Sequence, residues 1–267
     1  MTRSLCLTVD VDRDVNIPIP GKLKAGSADR GTGTFPRYSS SAEGLKILTG
    51  LFDEMGIEAT YFAEGRTLTE IGGELLTGRE TGIHGMDHED MTQDIPEEEK
   101  KRILDESYQT VKDTIGTDPV CSRMPYMKIS PDIPPMLTEL GIKYDSSEYR
   151  PLEERMVPYG MNGLTEVPVP TSTDGKGRKI VGYLWPMHEG KRKPSDYARM
   201  ASKLNEGVFV LATHSWHMSE SLEKGRMSDE EKASNTNNVR KTIELLLDDG
   251  YIFETIPDAI QRIARAP

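Results

Sequence analysis

What most restricts how this chain can fold is the alternation of short apolar runs with amphipathic stretches. Residues 5–9, 57–62, 119–122, 142–144, 165–169, 208–212 and 251–254 read as strands. Helical stretches follow at about 39–55, 67–79, 95–115, 131–140, 195–205 and 229–247, with a last one from 257. Gly56, Gly141 and Gly250 stand where helices stop, Ser39–Ser41 supply N-cap candidates, and Pro96 fits a first helical turn. The order strand, helix, strand recurs seven or so times without a linker, repeat or low-complexity segment. That predicts one domain, 1–267, around a parallel sheet of about seven strands, either closed as a barrel or open and doubly wound. Two stretches resist the pattern, a Pro- and Gly-rich loop at 15–35 and an irregular segment at 170–194.

Composition removes several functional classes. With 44 acidic against 33 basic residues the net charge is -11, which argues against nucleic acid or an anionic membrane surface as partner. The basic stretches 176–179 and 191–193 read as solvated loops. No apolar run is long enough to span a bilayer, and the N-terminus opens straight into a strand pattern. A chain without a signal peptide, in the cytoplasm, is the expectation. Cys6 and Cys121 lie in or beside apolar runs and read as buried free thiols, not as a disulfide framework or a nucleophile.

The chemistry-bearing residues collect in one kind of place. Asp10 and Asp12 follow the first strand, Arg123 the strand at 119–122, Asp145 the strand at 142–144, and His214 the strand at 208–212. His84 and His88 follow the short Gly82-Ile83 step. In parallel α/β folds, groups just past the carboxyl ends of strands share one face. These residues are therefore expected to converge on one cleft.

Two imidazoles four residues apart can aim at one point, as a zinc-type cation requires. The zinc-protease signature is excluded, because Gly85 stands where its Glu would be. One carboxylate with two imidazoles leaves coordination positions open for water and substrate. A second carboxylate can take the water's proton, and a histidine opposite can protonate a leaving amine. Blander readings stand beside these. The aspartates could end a strand in solvent, the His pair could be an empty surface pair, and His214 could be a satisfied core histidine. Arg123 could be structural, Tyr126 and Trp185 packing residues, and His188 and His217 non-catalytic.

Val9-Asp10-Val11-Asp12, His84-Gly85-Met86-Asp87-His88, Arg123-Met124-Pro125-Tyr126, Tyr144-Asp145-Ser146-Ser147 and Thr213-His214-Ser215-Trp216 resemble, in order, the successive motifs of the polysaccharide deacetylase family. This is the NodB-homology group, carbohydrate esterase family four. The resemblance implies a distorted (β/α) barrel and metal-dependent hydrolysis of an N-acyl amide, typically an N-acetyl sugar. Asp10 would be the base, and Asp12, His84 and His88 would bind a divalent transition metal, zinc first. Arg123 would hold Asp10, the Tyr126 N–H would help stabilise an oxyanion, and His214 would be the acid. Asp145 would tune Arg123 or His214, while Trp216 and His217 could line the substrate pocket.

The Asp-Val-Asp motif, in place of adjacent aspartates, resembles the cytoplasmic branch that includes imide and ureide hydrolases and lipid-linked sugar deformylases. Ala212 stands where the family usually puts Leu, which suggests room for an acyl group other than acetyl. The expected partner is a small-molecule or sugar amide; a homo-oligomer stays open. The alternatives are a cyclic imide or ureide hydrolase of this fold and an inactive binding protein on the same scaffold.

Overall fold

The computed structural model describes residues 3–154 and 156–265. One sheet of nine strands organises it. These are β1 (Arg3–Val11), β2 (Thr60–Ala63), β3 (Glu80–Ile83), β4 (Cys121–Ser122), β5 (Tyr144–Asp145), β6 (Tyr159–Met161), β7 (Leu164–Glu166), β8 (Val208–His214) and β9 (Tyr251–Phe253). The spatial order is β8-β1-β2-β3-β4-β5-β7-β6, with β9 paired to the start of β1. Every pairing is parallel except β6 with β7.

The sheet curls into a half-barrel. A three-stranded sheet (Tyr149–Pro151, Val169–Thr173 and Lys179–Val181) stands beside the open side, and its continuation bridges from Tyr183 to Ala212 of β8. The expected count of about seven strands grows by two. Glu80–Ile83 is too polar to read as a strand but lies between two partners, and Tyr159–Met161 is a short hairpin arm. The irregular segment 170–194 likewise holds strand pieces and a one-turn helix, Trp185–His188.

β1 is buried along its whole length after Arg3, which explains its near-continuous apolar sequence. Its side chains alternate between two environments. Leu5, Leu7 and Val9 pack in the layer under the helices, while Cys6 packs inside the barrel. Thr8, Asp10 and Asp12 continue the Cys6 face. Val208, Val210 and Ala212 of β8 also lie inside, and Asp10 is the register partner of His214. Two strand periods therefore carry both groups to the rim of one face. Both cysteines are free and buried, as the sequence implies.

The helices follow from their apolar spacing. Helix α1 (Ser39–Met55) buries Leu45, Leu48 and Phe52, and Gly56 ends it at φ +63°. Its N-terminus departs from expectation, because none of Ser39–Ser41 caps it. Asp14 reaches in from the preceding loop and accepts from the N–H groups of Ser40 (3.1 Å) and Ser41 (2.7 Å). A carboxylate satisfies two of the first-turn donors and suits the helix dipole better than a hydroxyl. The helix expected at 67–79 is only Gly65–Ile71, since Gly72 and Gly73 break it. The helix Asp229–Asp248 begins with a reciprocal capping box between Ser228 and Glu231. No helix of the described residues is long and apolar enough to cross a membrane.

The Pro- and Gly-rich loop carries a small hairpin, Asn16–Pro18 with Ala25–Ser27. Glu220 pins the end of this loop to the segment after β8. Its buried carboxylate accepts from Arg37, Arg30 and Ser40. Burial alone would raise the Glu220 carboxyl, yet these donors hold it below the usual range. A depressed acid contributes stability above its unfolded value (about 4.3) that is lost as pH falls through the folded value. Glu220→Gln is expected to cost about 3 kcal/mol at neutral pH in urea denaturation. The gap to wild type should narrow as pH drops below the carboxylate range; a pH-independent gap would contradict the assignment.

Candidate active site

The turn carrying the histidine pair is not a helix. His84 sits just past β3, its N–H donating to Ala63 O at 3.0 Å, and Gly85 (φ +73°) and His88 (φ +54°) turn the chain back. A side chain at Gly85 would meet Glu89 and Pro125 at 3.1–3.2 Å in a backbone conformation that L residues rarely adopt. Glu89 ties the turn together by accepting from the N–H groups of Met86 and Asp87. Asp87 is held from outside by Arg13, Lys24 and Arg66.

The structure brings Asp12, His84 and His88 together, all buried, with one potential ligand atom of each within 4.8 Å of the others. His84 Nδ1–H donates to the carbonyl of Arg123 at 2.7 Å, which leaves its Nε2 free to bind a cation. Burial, against the pull of Asp10, holds His84 down at about 4; burial does the same to His88, against Glu64. Both are therefore neutral, the form that ligates.

Asp12 accepts from Asn16, and its Oδ2 lies 3.5 Å from His88 Nε2. Asp12 Oδ1 and His88 Nδ1 are buried with no hydrogen-bond partner among the described residues. Burial drives the Asp12 carboxyl well up, the Asp10 and Glu64 charges add to this, and His214 and Arg13 only partly oppose it. A buried carboxylate short of positive charge beside two neutral imidazoles fits a divalent cation.

Asp10 stands next to this cluster. Its Oδ1 accepts from Arg123 Nη1 at 2.9 Å and its Oδ2 from the Tyr183 hydroxyl. Burial alone would raise the carboxyl, but Arg123, His84, His214 and the Tyr183 bond outweigh it and leave it at about 2. Arg123 is fully buried. It also donates to Thr8 Oγ1 (2.8 Å), Ser146 O (2.8 Å) and Ser146 Oγ (2.9 Å), with the Phe62 ring at 4.5 Å. His214 places Nε2 3.9 Å from Asp10 Oδ2, and its ring stacks on Trp216 at 5.4 Å.

Tyr126 is turned by a left-handed backbone (φ +61°) and packs its ring edge-on against His88 at 4.6 Å. The backbone bonds of its turn run from Met127 N–H to Met124 O and from Lys128 N–H to Pro125 O.

Three further positions of the sequence reading have the following surroundings. Asp145 forms no hydrogen bond to Arg123 or His214 among the described residues, but the Arg123 charge acts on its carboxyl and lowers it against burial. Its carboxyl accepts from Ser122 Oγ (2.6 Å) and the Ser147 N–H (3.0 Å) and shares a hydrogen bond with buried Glu166, both acids being pushed up by burial. Trp216 is buried behind His214 and stacks on His217 at 4.1 Å; neither Trp216 nor His217 lines the cleft. Ala212 is fully buried and paired to the Tyr183 segment.

His217 Nε2–H donates to the Glu189 carboxylate (2.7 Å), and His188 bonds Thr213 and Asn235. The cleft holds about 180 Å³ and is lined by Asp10, His84, His88, Tyr126 and His214 together with Asn16, Met127, Tyr149, Tyr183 and Trp185. Asn16, Met127, Tyr149 and Tyr183 were not singled out in the sequence reading, and Trp185, read there as a packing candidate, also walls the cleft. Only the aromatic cluster at 183–185 gave a signal. A larger cavity, about 1060 Å³, opens at the opposite ends of β1 and β8, away from these groups.

The family model described as polysaccharide deacetylase matches residues 38–144. A peptidoglycan deacetylase-like protein of Gibberella zeae is 29% identical over 150 residues, which are 51% of this chain and 44% of that protein. This chain thus spans less than half of that relative. A solved structure from Mycobacterium smegmatis, assigned to the polysaccharide deacetylases, superposes at TM-score 0.67 with 20% identity, covering 98% of this chain and 90% of that one. The allantoinase PuuE superposes at 0.65 with 15% identity, covering 99% and 91%. The curled half-barrel is the fold of these proteins. In fold this chain is similar to these structures, and residues 38–144 match the polysaccharide deacetylase model.

Elemental analysis of the purified protein is expected to find about one equivalent of a transition metal, lost in His88→Ala. Equal metal in both proteins would remove His88 from the ligand set.

Proposed function

We propose that this chain is a single-domain, metal-dependent hydrolase that removes an acetyl or formyl group from an N-acylated sugar or related amide. The observation carrying this reading is that Asp10, His84, His88 and His214 line one small cleft, with Asp12 clustered on the two metal-site histidines. Asp12, His84 and His88 would hold the divalent metal, zinc being the first candidate for such a donor set. When bound, that metal supplies an acidified water and polarises the acyl carbonyl.

The protein's own groups do the rest. Asp10 accepts the proton of the attacking water, and Arg123 keeps its carboxylate charged and aimed. The Tyr126 N–H supports the oxygen of the tetrahedral intermediate. His214 delivers a proton to the departing nitrogen, its Nε2 standing 3.9 Å from Asp10 Oδ2.

A second reading is a cyclic imide or ureide hydrolase, favoured by the cleft's size. About 180 Å³ is below the usual range for drug-sized ligands and suits a compact ring. A panel separates the two: acetate release from N-acetylglucosamine oligomers, formate release from an N-formyl amino sugar, and ring opening of allantoin and succinimide. Turnover of the acyl amides supports the first reading, and of the rings alone the second. With metal bound and no turnover of any, the chain is a binding protein. His214→Ala is expected to lower kcat about 10²–10⁴-fold while the metal stays bound; an unchanged kcat would dismiss it as the acid.

A further inference from the structure

Asp10 and His214 are register partners on adjacent strands, with 3.9 Å between Oδ2 and Nε2. A buried carboxylate and an imidazole this close attract each other. Left alone, they would close to a charge-assisted hydrogen bond of about 2.7–2.9 Å. That pair would serve neither as base nor as acid, because each group would neutralise the other. Among the described residues His214 has no carboxylate of its own behind it: its Nδ1 is buried with no hydrogen-bond partner, and the Asp145 carboxyl accepts from Ser122 and Ser147.

Tyr183 stands where it can prevent the collapse. Its hydroxyl donates to Asp10 Oδ2, the same oxygen that faces His214. Its ring lies 5.3 Å from the His214 ring at 31°, and Trp216 covers His214 from another contact at 5.4 Å and 29°.

The phenol is fixed by its own backbone. Leu184 N–H donates to Ala212 O (2.8 Å), Ala212 N–H to Gly182 O (2.7 Å), and the Tyr197 hydroxyl to Tyr183 O (2.8 Å). Gly182 is what permits this approach, since a Cβ there would meet Val210 O at 2.5 Å. Small Ala212 completes the seat.

We propose that Tyr183 is a positioning residue that keeps the base and the acid of this site from pairing with each other. The inference rests on the hydrolase reading given above. Arg123 on Oδ1 and Tyr183 on Oδ2 fix the plane of the Asp10 carboxylate, and the remaining lone pair of Oδ2 stays available to the cleft. His214, confined by rings instead of by a carboxylate, keeps Nε2 available to a leaving nitrogen.

Tyr183→Phe tests this, because it keeps the ring and its packing and removes only the donor. Metal content and Tm are expected to stay at wild-type values. In the crystal structure of the variant, Asp10 Oδ2 and His214 Nε2 should close to hydrogen-bond distance. On whichever substrate of the panel the wild type accepts, kcat should fall about 10–100-fold with KM unchanged. An unchanged kcat, a change confined to KM, or a variant structure that keeps the 3.9 Å gap would each overturn the proposal. Should the wild type turn over nothing, the hydrolase reading fails, and the Asp10–His214 separation in the variant still decides the role of Tyr183.

Discussion

The geometry of the cleft depends on one buried ion pair, Arg123 with Asp10. Its guanidinium reaches Thr8 and Asp10 on β1 and Ser146 just past β5, and lies over Phe62 of β2. Its backbone acts as well: the Arg123 N–H donates to Ile83 O of β3, and its carbonyl receives the proton of His84 Nδ1. A single residue therefore sets the orientation of the candidate base and the tautomer of a candidate ligand. Removing the side chain would strand a carboxylate with no charge partner in a dry interior, where uncompensated charge costs several kcal/mol. Position and ionisation are thus coupled: the group that aims Asp10 is the group that keeps it charged.

Strand periodicity explains why so much of this was legible in the sequence. Asp10, Asp12 and His214 stand at strand ends on residues whose parity puts them on the inner face. Parallel pairing then makes Asp10 and His214 neighbours without further help. The same logic says less about Asp145. It also stands at a strand end, but a strand-end position says only that a side chain is near the rim, not what it meets. Ser122 and Glu166 claim its carboxyl first. Trp216 is a related case, since the turn after β8 sends it behind His214.

The unread residues lie where local pattern carries no information. Tyr183 reaches Asp10 because a strand-like piece of the segment 170–194 pairs with β8, and that pairing rests on Gly182 and Ala212 being small, a property of the contact and not of either run alone. Asn16 meets Asp12 through a hairpin in a Pro- and Gly-rich loop. β3 escaped notice because Glu80-Thr81-Gly82-Ile83 has little strand character; two flanking partners impose it.

Charge balance joins the two halves of the site. The charges of buried Asp10 and Glu64 both act on Asp12, near two buried guanidinium groups, Arg13 and Arg123. Arg123 is committed to Asp10, and Arg13 to Glu64 through its Nε and Nη2, with a further reach to Asp87. Asp12 is left with the amide of Asn16, and its carboxyl is driven up accordingly. A neutral amide cannot offset a buried negative charge, and two imidazoles held neutral by burial cannot either. The fold thus leaves one charge uncompensated at the point where three potential ligand atoms converge. A cation there is what would balance the interior, and the same imbalance that disfavours ionised Asp12 in its absence is the source of affinity in its presence.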